Sequence, residues 1–213
     1  MGQSFRAPET IYNKLNDADI DFGTMKDPHG NTIPLSKEKI YQLYQSPDRA
    51  IRKTAAEKFS AAYAKSQYAF AEALQQHVHT QNTLAHVRHY PSARAMDLTE
   101  EFIPESVFTN LVDTVHEFLP SAHKYFALRK QVLALDPLYT YDLSVPLVGE
   151  APLKPTFAQA QEWALAALAP LGEDYLNHLR EEFNNRWIDR AENAGKLSGG
   201  YEEDVFGVHP YVL

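Results

Sequence analysis

The chain has 213 residues, enough for a substantial core, and its 44% hydrophobic and 23% charged residues mark a globular rather than a disordered protein. Its net charge of −8 is spread along the sequence, so the basic patch that phosphate neutralisation requires is missing and a nucleic-acid role is set aside. The absence of cysteine removes disulfide frameworks and thiolate metal sites. No charged n-region precedes an apolar run at the start, and no stretch approaches the roughly 20 apolar residues of a membrane span, so the expected compartment is cytoplasmic, with no membrane partner.

In chain order, Pro8 to Asn16 has helix-start chemistry, with Pro8 and Glu9 in the first turn. Ile20–Thr24 and Asn31–Leu35 flank Asp27-Pro28-His29-Gly30 as a small hairpin. Ser36 is placed to cap a helix over Lys37–Gln45. Ser46-Pro47-Asp48 then restarts a helix with an N-cap, a first-turn proline and an acidic residue suited to the positive helix end. From Asp48 to about His89 there is neither glycine nor proline. Ile51, Ala55, Phe59, Ala62, Phe70, Leu74 and Val78 recur at helical spacing there, which predicts one long helix with a continuous buried stripe.

A short helix is predicted over Ser92–Leu98, and another opens at Pro104 with Val107, Phe108, Leu111, Val112 and Val115 on its apolar face. Pro120 is expected to end that helix, and Ser121–Leu135 to form the next, burying Tyr125, Phe126, Leu128, Val132 and Leu133. After Asp136-Pro137 the stretch Tyr139–Val148 reads as extended, with Pro146 placing it at a sheet edge. Thr156 caps a helix to about Ala169, Pro170-Leu171-Gly172 resets the chain, and Glu173–Asn184 forms the last helix. The plan is mainly α, with a small hairpin and short edge strands, and contains no repeat or low-complexity tract.

Three groups of residues invite a chemical reading. His116-Glu117 begins like the His-Glu-x-x-His pair that puts two imidazoles on one ion, but Pro120 stands four residues on, supplies no ligand and breaks the pattern. His77, His79, His86 and His89 crowd a stretch without carboxylates. His86 and His89 are near enough to share an ion, whereas His79 lies about 10 Å from His86 by helix rise, so a polar helix face is the favoured reading. In the glycine loop, Gly195-Lys196 is followed by Leu197 rather than Ser or Thr, and Ser198 has Lys196 two residues before it, so neither a phosphate loop nor a nucleophile elbow is present. Two readings of the loop stay open, a plain mobile connection and a substrate contact. In the second, Gly199, Gly200 and Gly207 give backbone access while Tyr201, His209 and Tyr211 offer donors. The chain then finishes on Pro210-Tyr211-Val212-Leu213, which has the character of a buried strand and looks cut off.

Arg186-Trp187-Ile188-Asp189, then Asn193-Ala194-Gly195-Lys196-Leu197-Ser198-Gly199-Gly200-Tyr201, then Gly207-Val208-His209-Pro210-Tyr211-Val212-Leu213 resemble consecutive blocks of oligoendopeptidase F, a family of the thimet-oligopeptidase-like zinc peptidases. Tyr141-Asp142-Leu143-Ser144-Val145-Pro146-Leu147 resembles another. The resemblance implies a helical piece, residues 1–213, of a zincin-like oligopeptidase, with a glycine loop and a substrate-cleft strand over 195–213. It implies that Ser198, Gly199, Tyr201, Gly207, Pro210 and Tyr211 lie at the substrate cleft, and Gly200 and His209 join them as candidate substrate contacts from the reading of the loop. Leu213 matches as well, while Gly200, Leu197 and Glu202-Glu203-Asp204 depart from the usual residues. In the family these blocks precede the helix bearing His-Glu-x-x-His, which this sequence does not contain. Zinc is therefore implied for the complete enzyme and none is expected in this chain, which should be inactive alone. The implied partners are short peptides and a missing C-terminal catalytic half. The competing class is a non-enzymatic helical binding or scaffold module.

Overall fold

The structure, a computed structural model, describes residues 2–27, 30–149, 155–191, 196 and 199–212. It is mainly α, with two small antiparallel hairpins, and divides into two compact units, residues 1–147 and 148–213.

The first unit opens with α1, Gly2–Asn13, which begins before the predicted Pro8 and carries that proline inside it. Pro8 is tolerated because α1 packs along α4: Pro8 and Tyr12 face the same groove as Phe70, and the Tyr12 ring meets Phe70 edge-on at 5.7 Å. A π-helical turn, Lys14–Asp19, follows and buries Asn16, whose side chain accepts from the Tyr63 hydroxyl at 2.7 Å. Strands β1, Thr24–Lys26, and β2, Thr32–Pro34, form the expected hairpin with Met25 opposite Ile33, although the first strand starts later than its apolar residues suggested. Helix α2, Lys37–Leu43, is capped by Ser36 as predicted.

The predicted long helix is two. Helix α3, Arg49–Ala64, and α4, Gln67–Val87, are separated at Lys65-Ser66. The cap of α3 is Asp48 rather than Ser46: the Asp48 carboxylate accepts from the Ala50 amide at 2.8 Å, whereas the Ser46 hydroxyl accepts from the Asp48 amide, before the helix begins, and the Ser46 and Pro47 carbonyls accept from the Arg52 guanidinium at 2.7 and 3.1 Å. Ala55 and Ala62 enter the core with Phe22, Met25, Ile40 and Leu43, and Phe22, Phe59, Tyr63 and Phe70 form a chain of ring contacts. The stripe ends there, since Leu74 is 65% and Val78 49% exposed. Helical spacing alone therefore did not secure burial.

Helix α5, Ala93–Glu100, is capped by Ser92, and α6 runs from Glu105 to Val132 without stopping at Pro120. The proline costs α6 one backbone bond but does not end it. The expected burial fails: Val107, Leu111, Val115, Tyr125, Phe126, Leu128 and Val132 are all exposed. The predicted extended segment after Pro137 is also replaced. Thr140–Asp142 is a 3-10 turn, and Asp142 is fully buried. Its carboxylate accepts from Arg49 Nη2 at 3.0 Å, from Arg52 Nη2 at 2.7 Å and from the Tyr139 amide at 3.1 Å, while Arg129 donates to the Asp142 and Val145 carbonyls. Burial pushes the Asp142 carboxyl up, but the hydrogen bonds from Arg49, Arg52 and Tyr139 outweigh it and hold the group below its ordinary range.

The second unit contains α7, Phe157–Ala167, closed by a reciprocal Thr156–Gln159 cap, a short turn Ala169–Leu171, and α8, Glu173–Asn184. Gly172 joins the last two with φ +92, a conformation that side chains rarely adopt. Strands β3, Glu202–Glu203, and β4, Tyr211–Val212, complete it.

Candidate functional site

The residues singled out in the sequence meet in this second unit. Helix α8 ends at Asn185, Arg186 turns the backbone at φ +60, and Trp187-Ile188-Asp189 then runs beside β4. The Val212 amide donates to the Trp187 carbonyl at 2.9 Å, and the Asp189 amide donates to the Val212 carbonyl at 2.8 Å. On its other side β4 pairs antiparallel with β3, Glu202 opposite Val212 and Glu203 opposite Tyr211. Strand β4 is thus the middle of three segments. Lys196 holds the start of the loop, its ammonium donating to the Asp189 and Ala191 carbonyls and pairing with the Asp189 carboxylate at 3.2 Å.

The two ends of the hairpin are shaped by glycine. Gly199 has φ +122, and Gly207 has φ +83 at the third position of a turn closed by the Val208 amide on the Val205 carbonyl. Gly200, in contrast, does not adopt positive φ. Tyr201 and Tyr211 are exposed, whereas His209 and Pro210 are half-buried. Ser198 and Leu213, with residues 192–195 and Leu197, lie outside the described residues.

His209 stacks flat on Trp187, centroids 4.4 Å apart and planes at 9°, and meets Tyr211 edge-on at 4.7 Å. The Trp187 and His209 rings form one side of a cavity of about 470 Å³ between α8 and the sheet, lined also by Tyr175, His178, Glu182 and Glu202. Burial pushes the Glu182 carboxyl up, and the charge of Glu202 adds to it. Glu182 carried no motif in the sequence. Only its position on the α8 face turned toward the sheet brings it here.

The histidines read from the sequence do not gather. His77, His79 and His86 are spread along α4, His89 ends that helix at φ +63, and His116 stands on exposed α6. Among the described residues no three His, Asp or Glu side chains are grouped to hold a metal ion, so the zinc implied by the resemblance has no fitting ligand set in them.

Comparison with known proteins gives these features a context. Oligopeptidase PepF of Bacillus subtilis (strain 168) is 40% identical over 202 residues, covering 95% of this chain and 30% of its own length. Group B oligopeptidase PepB of Streptococcus agalactiae is 35% identical over 209 residues, covering 98% of this chain and 35% of its own. The crystal structure of oligoendopeptidase-F from Enterococcus faecium superposes with a TM-score of 0.68 at 37% identity, over 87% of this chain and 34% of that one. The chain therefore spans about a third of the length of these relatives. The family description that matches, Peptidase family M3, runs over residues 42–213, from the end of α2 through the whole three-segment sheet. With sequence and fold in agreement over that range, the chain belongs to peptidase family M3, among its oligoendopeptidase F-type members.

Proposed function

We propose that this chain supplies the cleft wall and the peptide-docking sheet of a zinc-dependent oligoendopeptidase that hydrolyses short peptides, and that hydrolysis requires groups outside these 213 residues. The observation that carries the reading is the order of the sheet. The Val212 backbone groups are taken by Trp187 and Asp189, and by strand alternation those of Tyr211 face β3, so β4 has no side left for a peptide. Glu203, opposite Tyr211, faces inward, which turns the amide and carbonyl of Glu202 outward. Among the described residues nothing pairs with that outer side. A substrate strand adds there, along Glu202, and not along His209–Leu213 as the end of the chain suggests. Backbone pairing of this kind accepts many side chains and suits a peptidase of short, varied substrates.

The exposed apolar flank of α6 supports the further proposal that a catalytic polypeptide packs on this chain. A helix apolar on several faces is ordinarily enclosed by protein, and the relatives are about three times as long. The docking edge is tested by titrating the isotope-labelled chain with acetyl-tetra-alanine amide. The amides of Glu202 and its neighbours should shift and Val212 should not, and Glu202→Pro should abolish the shifts. Shifts at Val212 without any at Glu202 would place docking elsewhere. The same chain is expected neither to cleave the peptide nor to bind zinc with submicromolar affinity in calorimetry, and either activity would remove the need for a further polypeptide.

A further inference from the structure

We infer that the cavity between α8 and the sheet is a side-chain subsite that selects a peptide residue bearing a cation, a lysine or arginine, at the position paired with Glu202. The inference rests on the docking of peptides along the outer edge of β3.

Three observations lead to it. Residues directly opposite one another in a sheet send their side chains to the same face, so a peptide residue paired with Glu202 points where Glu202 points. Glu202 lines the cavity, and the side chain opposite it therefore enters the same space. That space, about 470 Å³, is large enough for an arginine side chain.

Its chemistry suits a cation on two counts. The Trp187 and His209 rings, stacked at 4.4 Å, and Tyr175 supply flat apolar and π surface along which an aliphatic stem and a guanidinium can lie. Glu182 and Glu202 supply the charge, and neither has a hydrogen-bond or ion-pair partner among the described residues. Of the other lining groups, Glu181 is engaged by His178 at 3.4 Å, and among the described residues no lysine or arginine lines the cavity to neutralise the pair. Two carboxylates lining one half-buried space repel until a cation lies between them, a repulsion that adds to burial, the larger cause, in making Glu182 harder to ionise than usual. A neutral side chain of the same shape leaves that repulsion in place, so discrimination comes from charge rather than size.

The test compares two peptides on the isotope-labelled full chain, acetyl-Ala-Arg-Ala-amide and the same peptide with citrulline, which keeps the shape and loses the charge. The arginine peptide should bind about tenfold more tightly at low salt, the sum of two partly exposed ion pairs. The ratio should approach one in 0.5 M sodium chloride, and the Trp187 indole signal should move only with arginine. The double variant Glu182→Gln, Glu202→Gln should lose the preference while its spectrum shows the native fold. If both peptides bind equally and shift the Glu202 amide, the subsite is wrong and the docking edge stands. If neither shifts that amide, both are wrong. An arginine preference that survives in the double variant overturns the assignment to this cavity.

Discussion

Asp142 is the residue on which most of the buried charge of the first unit depends. Arg49 and Arg52 donate to its carboxylate, and Arg129 holds the backbone carbonyls of Asp142 itself and of Val145. Removing the carboxylate while leaving Arg52 buried strands a guanidinium, and Asp142→Asn is expected to lower stability by about 3 kcal/mol in urea unfolding. The pH dependence follows from the same contacts. The folded carboxyl sits below its ordinary value of 3.8, so the unfolded state takes up a proton first as pH falls. The stabilisation is present in full above that value and is lost as pH drops through the lower folded value. The unfolding midpoint should therefore fall below about pH 4 in the native chain, and this part of the fall should be absent in Asp142→Asn. A second residue-scale prediction concerns helix ends. His89, Phe102, Ala134 and Arg186 adopt positive φ where glycine is usual, and Leu135 closes the end of α6 by donating to the Lys130 carbonyl. Ala134→Gly should relieve about 1 kcal/mol of backbone strain and raise the denaturation midpoint; a drop would mean that the strain is not borne there.

The elements show which local signals are dependable. Ser36, Ser92 and Thr156 accept backbone amides at the helix starts expected of them, because an N-cap acts within three residues of itself. The ends of α4, α5 and α6 were less legible, since His89, Phe102 and Ala134, which make them, carry no stop signal. Pro120 misled in the opposite direction. It removes one amide from α6, yet the other bonds of a 28-residue helix continue past it. Pro120→Ala restores the missing donor to the His116 carbonyl and is expected to slow hydrogen exchange across residues 116–124, by a local gain of up to about 3 kcal/mol. Unchanged exchange would show that something other than the proline limits opening in that stretch. The break between α3 and α4 had no such marker. Glycine and proline are both absent from 48–89, and only the contacts of Tyr63, Phe70 and α1 show that two helices are needed there.

At the scale of the whole molecule the chain is two units, and the first carries a conspicuous unpartnered surface. Leu111, Val115 and Phe118 are exposed along α6, with Phe118 at 61%. A surface of this kind associates in water, with itself when no other partner is present. Sedimentation of the chain should show a mass that rises with concentration, and Leu111→Lys with Val115→Lys should reduce it. If the double variant associates as strongly as the parent, the contact lies elsewhere, for example at the exposed Tyr211 of β4. In either case the second unit, with its own helices and sheet, should keep the hairpin and the stacked rings described above.

The sequence by itself determined the mainly helical class, the β1–β2 hairpin, the caps at Ser36 and Thr156, the bounds of α8 and the family resemblance. Each of these is written in residues a few positions apart, or in blocks read as a unit. Tertiary structure alone decided three things. It placed Asp142 under arginines ninety residues earlier, where the pattern read as an edge strand. It set Val212 between Trp187 and Glu202, which moves the open edge of the sheet from the end of the chain to β3. It also brought Glu182, which carried no motif in the sequence, into the same cavity as Glu202. The reason is common to all three. A cap or a turn is selected by the free energy of bonds within one helical turn, whereas a pairing across tens of residues is selected by how the packed elements close the intervening chain. That closure leaves no periodicity in the sequence from which it can be read.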